Sequence, residues 1–322
     1  MKLFTTLAFV AGLALLTVLI AYAGFQSVGE AVEEAGWGVA LVVLVRVGEI
    51  TGATWSWWVL FPPTLRPRFT TSTLVRWIRD SINVLLPVAM IGGEIAGTRL
   101  LMFFGVEGSL AAASIVAEVM IMVVTQLLFT MVGLLTLVAL GGGGRLVQDI
   151  MVGLLIAVPV VGGLYLAQRR GAYRSLAHLL RRFPGNQHLL RLGTADKFYG
   201  WLEAIYRARK RVFIGGLIHM GVWFLGAAEV WIALGFMGWP VTYAEALVIE
   251  SLGQAVKSAA FAVPGALGVQ EGGLVALCTI FGVPIATALA LSLVKRVADV
   301  SLGVPGLIAW QVLEGRRALG LR

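Results

Sequence analysis

The chain has 322 residues, 59% of them hydrophobic and only 13% charged, with a mean hydropathy of +0.90. So little charge cannot cover the surface of a water-soluble domain of this size. The net charge of +8 lies beside apolar runs and in one segment, a membrane-topology pattern and not a nucleic-acid footprint; the one cysteine, Cys278, excludes a disulfide framework or a cysteine metal site.

A membrane helix needs about 20 consecutive apolar residues. The first run, 3–25, is long enough, and the residues after it are acidic, not a small-residue cleavage site, so it predicts a helix and not a signal peptide. The second, 36–61, carries Arg46 and Glu49 on one face near its middle and ends in Trp55, Trp57 and Trp58, which suit an interfacial aromatic belt. Region 73–103 is broken by Pro87 and by Gly92–Gly93, and bears Arg76, Arg79, Asp80 and Asn83 as an i, i+3, i+4, i+7 stripe. Full spans follow at 109–140 and 146–167. Segment 168–211 is strongly basic, with Phe198, Trp201, Leu202 and Ile205 on one helical face; it reads either as a helix on the cytoplasmic lipid surface or as a solvated loop. A span at 212–237 precedes a second broken region, 244–281, interrupted by Pro264, Gly265 and Gly268. The last span, 285–312, holds Lys295, Arg296 and Asp299.

The two broken regions match. Leu86-Pro87 to Glu94 aligns with Val263-Pro264 to Glu271, and Phe104-Gly105-Val106 falls on Phe281-Gly282-Val283 at an unchanged offset of 177. The predicted architecture is all-α and integral to the membrane: six spanning helices plus two re-entrant helical hairpins in an inverted repeat. One membrane domain covers 1–322, with a first repeat at 36–140, a basic cytoplasmic segment at 168–211 and a second repeat at 212–312. The basic loops then all fall on the cytoplasmic side, with both termini inside.

Charges inside apolar helices cost roughly 2.5–3.5 kcal/mol each on insertion scales, so they ordinarily face a cavity or pair with one another. The candidate substrate-binding set is Arg46, Glu49, Arg76, Arg79, Asp80, Asn83, Glu94, Lys257, Gln270, Glu271, Lys295, Arg296 and Asp299, with Glu118, Glu229 and Glu250 as further candidates. The alternative for Arg46–Glu49 and Lys295–Asp299 is that they are structural pairs that fix helix packing. The Glu94 and Glu271 turns are expected to face each other across a polar chamber, as in transporters built from inverted repeats. Catalytic signals are poor: His178, His188 and His219 are scattered without metal-ligand spacing, and neither a nucleotide-binding nor a hydrolase motif occurs. No metal and no cofactor are expected.

The stretch Arg76-Trp-Ile-Arg-Asp-Ser-Ile-Asn-Val-Leu-Leu-Pro87 with Gly92-Gly-Glu94, and Pro264-Gly-Ala-Leu-Gly-Val-Gln-Glu-Gly272, resemble the membrane domain of the lysylphosphatidylglycerol synthase/flippase family. With Ser292-Leu-Val-Lys-Arg296, the likeness is nearer to the hopanoid-associated HpnL-type branch. The resemblance implies a bacterial inner-membrane flippase or transporter of a polar-headed lipid, either an aminoacyl-phospholipid or a hopanoid-type lipid. Its partners would be membrane lipids, anionic or aminoacylated, and no nucleic acid; a homo-oligomer is compatible with it. The bifunctional members carry a cytosolic aminoacyl-transferase domain that these residues lack, so synthase activity is not expected. A headgroup-modifying membrane enzyme using Glu94 or Glu271 as base, and a scaffold for lipid-synthesis enzymes, are the alternatives.

Overall fold

The computed structural model describes residues 30, 33–86, 92–141, 152, 155, 159, 162–163, 192–259 and 268–318, and these form helices and no strand. The expected span 3–25, nearly all of 146–167, and the turn residues Pro87, Pro264 and Gly265 lie outside them. Nine α-helices are described: α1 (Gly38–Leu60), α2 (Phe69–Leu85), α3 (Gly92–Phe103), α4 (Gly108–Ala139), α5 (Leu192–Arg207), α6 (Arg209–Phe236), α7 (Tyr243–Ala259), α8 (Val269–Ile280) and α9 (Ile285–Ala318).

Among the described helices, α1, α4 and α6 are long and apolar enough to cross a membrane. The fourth expected span within the described residues, α9, has 34 residues, about 51 Å at 1.5 Å per residue. Lys295, Arg296 and Asp299 in its middle remove it from the purely apolar set. Both broken regions do break. Helices α2 and α7 have 17 residues each and α3 and α8 have 12, so the arms are about 25 Å and 18 Å long. Over its described residues, each arm is shorter than the roughly 30 Å hydrocarbon core.

Local chemistry sets the ends. Helix α1 stops at Phe61, extended at φ −63° and ψ 142°, because Pro62 follows and disfavours the helical region for the residue before it. A 3-10 turn at Pro63–Leu65 leads past Pro67 into α2. The loop is tied down tightly: Trp58 Nε1 donates to the Pro67 carbonyl at 2.8 Å, the Arg66 guanidinium lies 4.2 Å over the Trp58 ring, and Arg211 donates to the Phe61 carbonyl at 2.8 Å. At α8, Gly268 takes φ +76°, a conformation open to glycine, and its N–H donates to Glu271 Oε2 at 2.6 Å, closing the first turn.

The principal packing pairs come in matched sets. Helix α1 lies along α6. The pair α2 and α9 has its counterpart in α7 and α4; α1 with α2 in α6 with α7; α2 with α3 in α7 with α8; and α3 with α4 in α8 with α9. Contacts also define two ends. At one, Arg211 meets Phe61, Trp201 donates to Glu107 at 2.9 Å, and Arg99 pairs with Glu314 at 3.4 Å. At the other, Gly38 packs on Phe236, and Ala35, Leu137, Met237, Ala246, Leu277 and Val283 share one core. Glycine permits the tightest approach in the first hairpin: a Cβ on Gly93 would fall 2.5 Å from the Arg79 carbonyl, and one on Gly97 2.4 Å from Arg79 Cδ.

Two expectations are corrected. Helix α5 does not spend its apolar face on a lipid surface, because Leu202 and Ile205 are each 1% exposed in a core shared with residues of α2 and α4. It packs against the start of α4, so over 192–207 the segment is neither a lipid-surface helix nor a solvated loop, while 168–191 lie outside the described residues. The three tryptophans do not form a belt. Trp55 is exposed, but Trp57 is fully buried and donates to Ser114 Oγ at 3.3 Å, while Trp58 pins the α1–α2 loop.

Candidate functional site

The stripe on α2 points inward. Arg76 Nε donates to Asp80 Oδ2 at 2.8 Å, and Arg76 Nη1 pairs with Glu118 Oε1 of α4. Arg79 Nη2 reaches Glu118 Oε2 at 2.8 Å and also pairs with Glu94 at the start of α3. Asn83 completes the corner: its Nδ2 donates to Glu94 Oε1 at 3.2 Å and its Oδ1 accepts from the Gly93 N–H at 2.9 Å. Glu94 thus stands three residues into α3, where backbone N–H groups favour negative charge. Arg79 is 2% exposed and lies 5.1 Å over Trp57, and its Nε and Nη1 have no hydrogen-bond partner among the described residues.

A second cluster joins α1, α6, α7 and α9. Arg46 donates to Glu49 Oε2 and to Glu229 Oε1, both at 3.0 Å, and stands 3.7 Å from Asp299. Lys295 Nζ reaches Glu250 Oε2 at 2.7 Å and Glu229 Oε1 at 3.3 Å. Gln254 donates to the other Glu250 oxygen at 2.8 Å. The Arg46–Glu49 pair forms as expected. The Lys295–Asp299 pair does not: Asp299 turns to Arg46, and Lys295 turns to glutamates that the sequence ranks only as further candidates.

Between the two clusters lies a cavity of about 930 Å³. Its wall includes Arg46, Glu49, Arg76, Arg79, Asp80, Asn83, Glu94, Glu118, Glu250 and Asp299, amid many apolar side chains such as Val84, Met122 and Trp223. Carboxylates outnumber arginines on it, six to three. This acidic bias could not be read from a chain of net charge +8, because the basic excess sits at the loops and ends.

Five expected residues are not on this wall: Lys257, Gln270, Glu271, Lys295 and Arg296. Glu271 is fully buried; Oε2 caps α8, and Oε1 accepts from Arg296 Nε at 2.7 Å and Ser292 Oγ at 3.2 Å. Gln270 is buried beside it, and Arg296 belongs to this third, separate cluster. Glu94 and Glu271, equivalent by alignment, therefore do not face each other across the cavity. One lines it and the other locks a helix start. Lys257 is half-buried on α7, off the cavity wall and without an ion pair among the described residues. Of the turn residues, Gly92 and Gly93 open α3 and Gly268 precedes α8.

His219, one of three histidines without metal-ligand spacing in the sequence, nevertheless belongs to the site. It is 3% exposed, lines the cavity, and has its ring 5.8 Å from Trp223. A polar residue within an apolar span was the available signal. Gln126 and Gln254 join the wall in the same way, with Gln126 Nε2 donating to the Gln254 carbonyl at 3.1 Å. Among the described residues, no three His, Cys, Asp or Glu side chains are grouped to hold a metal ion.

The model of the lysylphosphatidylglycerol synthase transmembrane region matches residues 9–306, nearly the whole chain. The chain belongs to that family. It is a helical membrane protein of a lipid-related family, and both the α2 stripe with its turn and the α7–α8 turn lie inside the match. No curated protein and no solved structure matches the chain.

Proposed function

We propose that this member of the lysylphosphatidylglycerol synthase transmembrane-region family is a flippase-type transporter, not an enzyme, that carries a polar lipid headgroup between leaflets through the charged cavity. The observation that carries the reading is the cavity itself: about 930 Å³, walled by ion-pair clusters from both sets of helices and by apolar side chains. Pockets of roughly 300–1,000 Å³ suit small molecules, so this one suits a headgroup while the acyl chains stay in the bilayer. The carboxylate excess favours a headgroup bearing a protonated amine, and the Arg76 and Arg79 guanidiniums on the wall supply positive charge for its phosphate. An aminoacyl-phospholipid has both features. A hopanoid rests on motif likeness alone, since nothing on the wall reads a ring system.

The matched packing pairs support an inverted repeat, with the α2–α3 hairpin re-entrant from the basic end and the α7–α8 hairpin from the opposite end. Placing Arg66, Arg68 and Arg209–Arg211 on the cytoplasmic face of a bacterial inner membrane follows from the positive-inside rule. A headgroup-modifying enzyme with Glu271 as base is disfavoured, because both Glu271 oxygens are already engaged.

Reconstitution tests the reading. Vesicles containing the protein and fluorescent lysylphosphatidylglycerol in one leaflet should equilibrate it faster than empty vesicles, and faster than they move phosphatidylglycerol. If neither these lipids nor a hopanoid moves above the empty-vesicle rate, the transport reading is wrong.

A further inference from the structure

The cluster around Arg46 does not balance its charge. Arg46 and Lys295 face four carboxylates, Glu49, Glu229, Glu250 and Asp299. Counting Lys257, which makes no ion pair among the described residues, three cations still face four anions. An uncompensated buried charge in a membrane is too costly to persist, so the group takes up a positive charge or gives up a negative one.

The unsatisfied atoms show where. Glu229 is 0% exposed, and its Oε2 has no partner among the described residues although Oε1 holds both Arg46 and Lys295. Glu49 likewise uses Oε2 for Arg46 and leaves Oε1 buried and unpartnered. Glu49 is the one of the two on the cavity wall. Its free Oε1 and Glu250 Oε1 each stand 3.3 Å from the point a Cβ on Gly226 would occupy, so two carboxylate oxygens crowd one glycine surface. The neighbouring elements supply the remaining charges: Glu229 and His219 from α6, Glu250 from α7, Lys295 and Asp299 from α9, Arg76, Arg79 and Asp80 from α2, and Glu118 from α4. The free oxygens belong to separate side chains already committed to Arg46, and among the described residues no three acidic or His side chains group for a metal. A proton needs only one such oxygen.

We propose that Glu49, held against Arg46 and Glu229, carries an exchangeable proton when the cavity is empty and releases it when a cationic headgroup binds, making the protein a proton–lipid antiporter. The proposal rests on the transport reading above. The exchange balances: the Glu49 O–H bond breaks, the proton leaves to the side to which the cavity is open, and the headgroup ammonium takes its place beside the carboxylate. On the other side a proton returns to Glu49 as the lipid leaves. Lysylphosphatidylglycerol, with two amines and one phosphate, carries a net single positive charge, so a one-for-one exchange is electroneutral. A pH difference drives it and a membrane potential does not.

The test uses wild-type protein in vesicles holding an internal pH dye, with lysylphosphatidylglycerol in the bilayer. One-for-one exchange sets a leaflet distribution of about tenfold per unit of pH difference, with lipid collecting on the acid side, because each 1.4 kcal/mol is tenfold. An imposed potential at equal pH should leave the distribution even, and lipid movement should shift the internal dye signal. Glu49→Gln, a neutral isostere of the protonated acid, should lose the pH-driven asymmetry yet melt in detergent at the wild-type temperature. A clear drop in melting would mean an ionised structural partner of Arg46 and would overturn the proposal. Lipid that moves without regard to the pH difference would overturn it too, leaving the transport reading standing. Lipid that does not move under any gradient would overturn both.

Discussion

Arg79 shows how one side chain serves fold and site together. Its Nη2 binds two glutamates, its plane lies over Trp57, and the backbone beneath it receives the first turn of α3. Removing it would leave Glu118, 1% exposed, with half of its compensation. Breaking a buried ion pair by deleting one partner costs about 3–5 kcal/mol. Arg79→Ala is therefore expected to lose most of its resistance to denaturation in detergent, whereas Arg99→Ala, whose pair with Glu314 is largely exposed at 3.4 Å, should change little. Arg79→Lys keeps the charge but gives up the planar fork, and should stay folded while transporting more slowly. Glu271 belongs to the same scale but to a different kind of residue. Its two oxygens cap α8 and hold Arg296, so Glu271→Gln should lower the melting temperature and leave the lipid preference unchanged.

At the scale of elements, the two hairpins hold their short arms by close approach, and the atoms approached decide what a substitution costs. A Cβ on Gly93 would meet the Arg79 carbonyl at 2.5 Å, and a backbone atom cannot swing away. A Cβ on Gly303 would meet Leu85 Cδ1 at 2.6 Å, the movable end of a leucine. Gly93→Ala should thus cost about 1–3 kcal/mol by overpacking, and Gly303→Ala distinctly less, as read by thermal melting in detergent. The reverse order would mean that the approach of Gly93 to Arg79 is looser than described. Helix α5 teaches a related lesson. Its apolar face resembles a lipid-binding stripe in sequence, since amphipathicity says that a face is covered but not by what. Contact with the α4 start supplies the cover.

For the molecule as a whole, the packing sets two ends, one bearing Arg66, Arg68 and Lys210 and the other Glu34 and Glu245. Accessibility tests their placement across a membrane, since Cys278 is fully buried and silent toward an impermeant maleimide. Arg68→Cys and Lys210→Cys should label only from the cytoplasmic side of oriented vesicles, and Glu245→Cys only from the other. Labelling of all three from one side would dismiss opposed hairpins.

The sequence by itself determined that the chain is a helical membrane protein, where its helices break, and which charged side chains stand inside apolar stretches. Hydropathy, proline and glycine act locally, and a charge in an apolar run is conspicuous wherever it falls. Only the tertiary structure decided which charges meet. Partners such as Arg79 and Glu118, or Lys295 and Glu250, are separated by dozens of residues on faces that no periodicity relates. The same holds for Glu94 and Glu271: identical in their motif, they part company because one helix start opens on a cavity and the other is packed against Arg296 of α9. Pairing in a low-dielectric interior depends on distances of a few ångströms, and those exist only once the helices have packed.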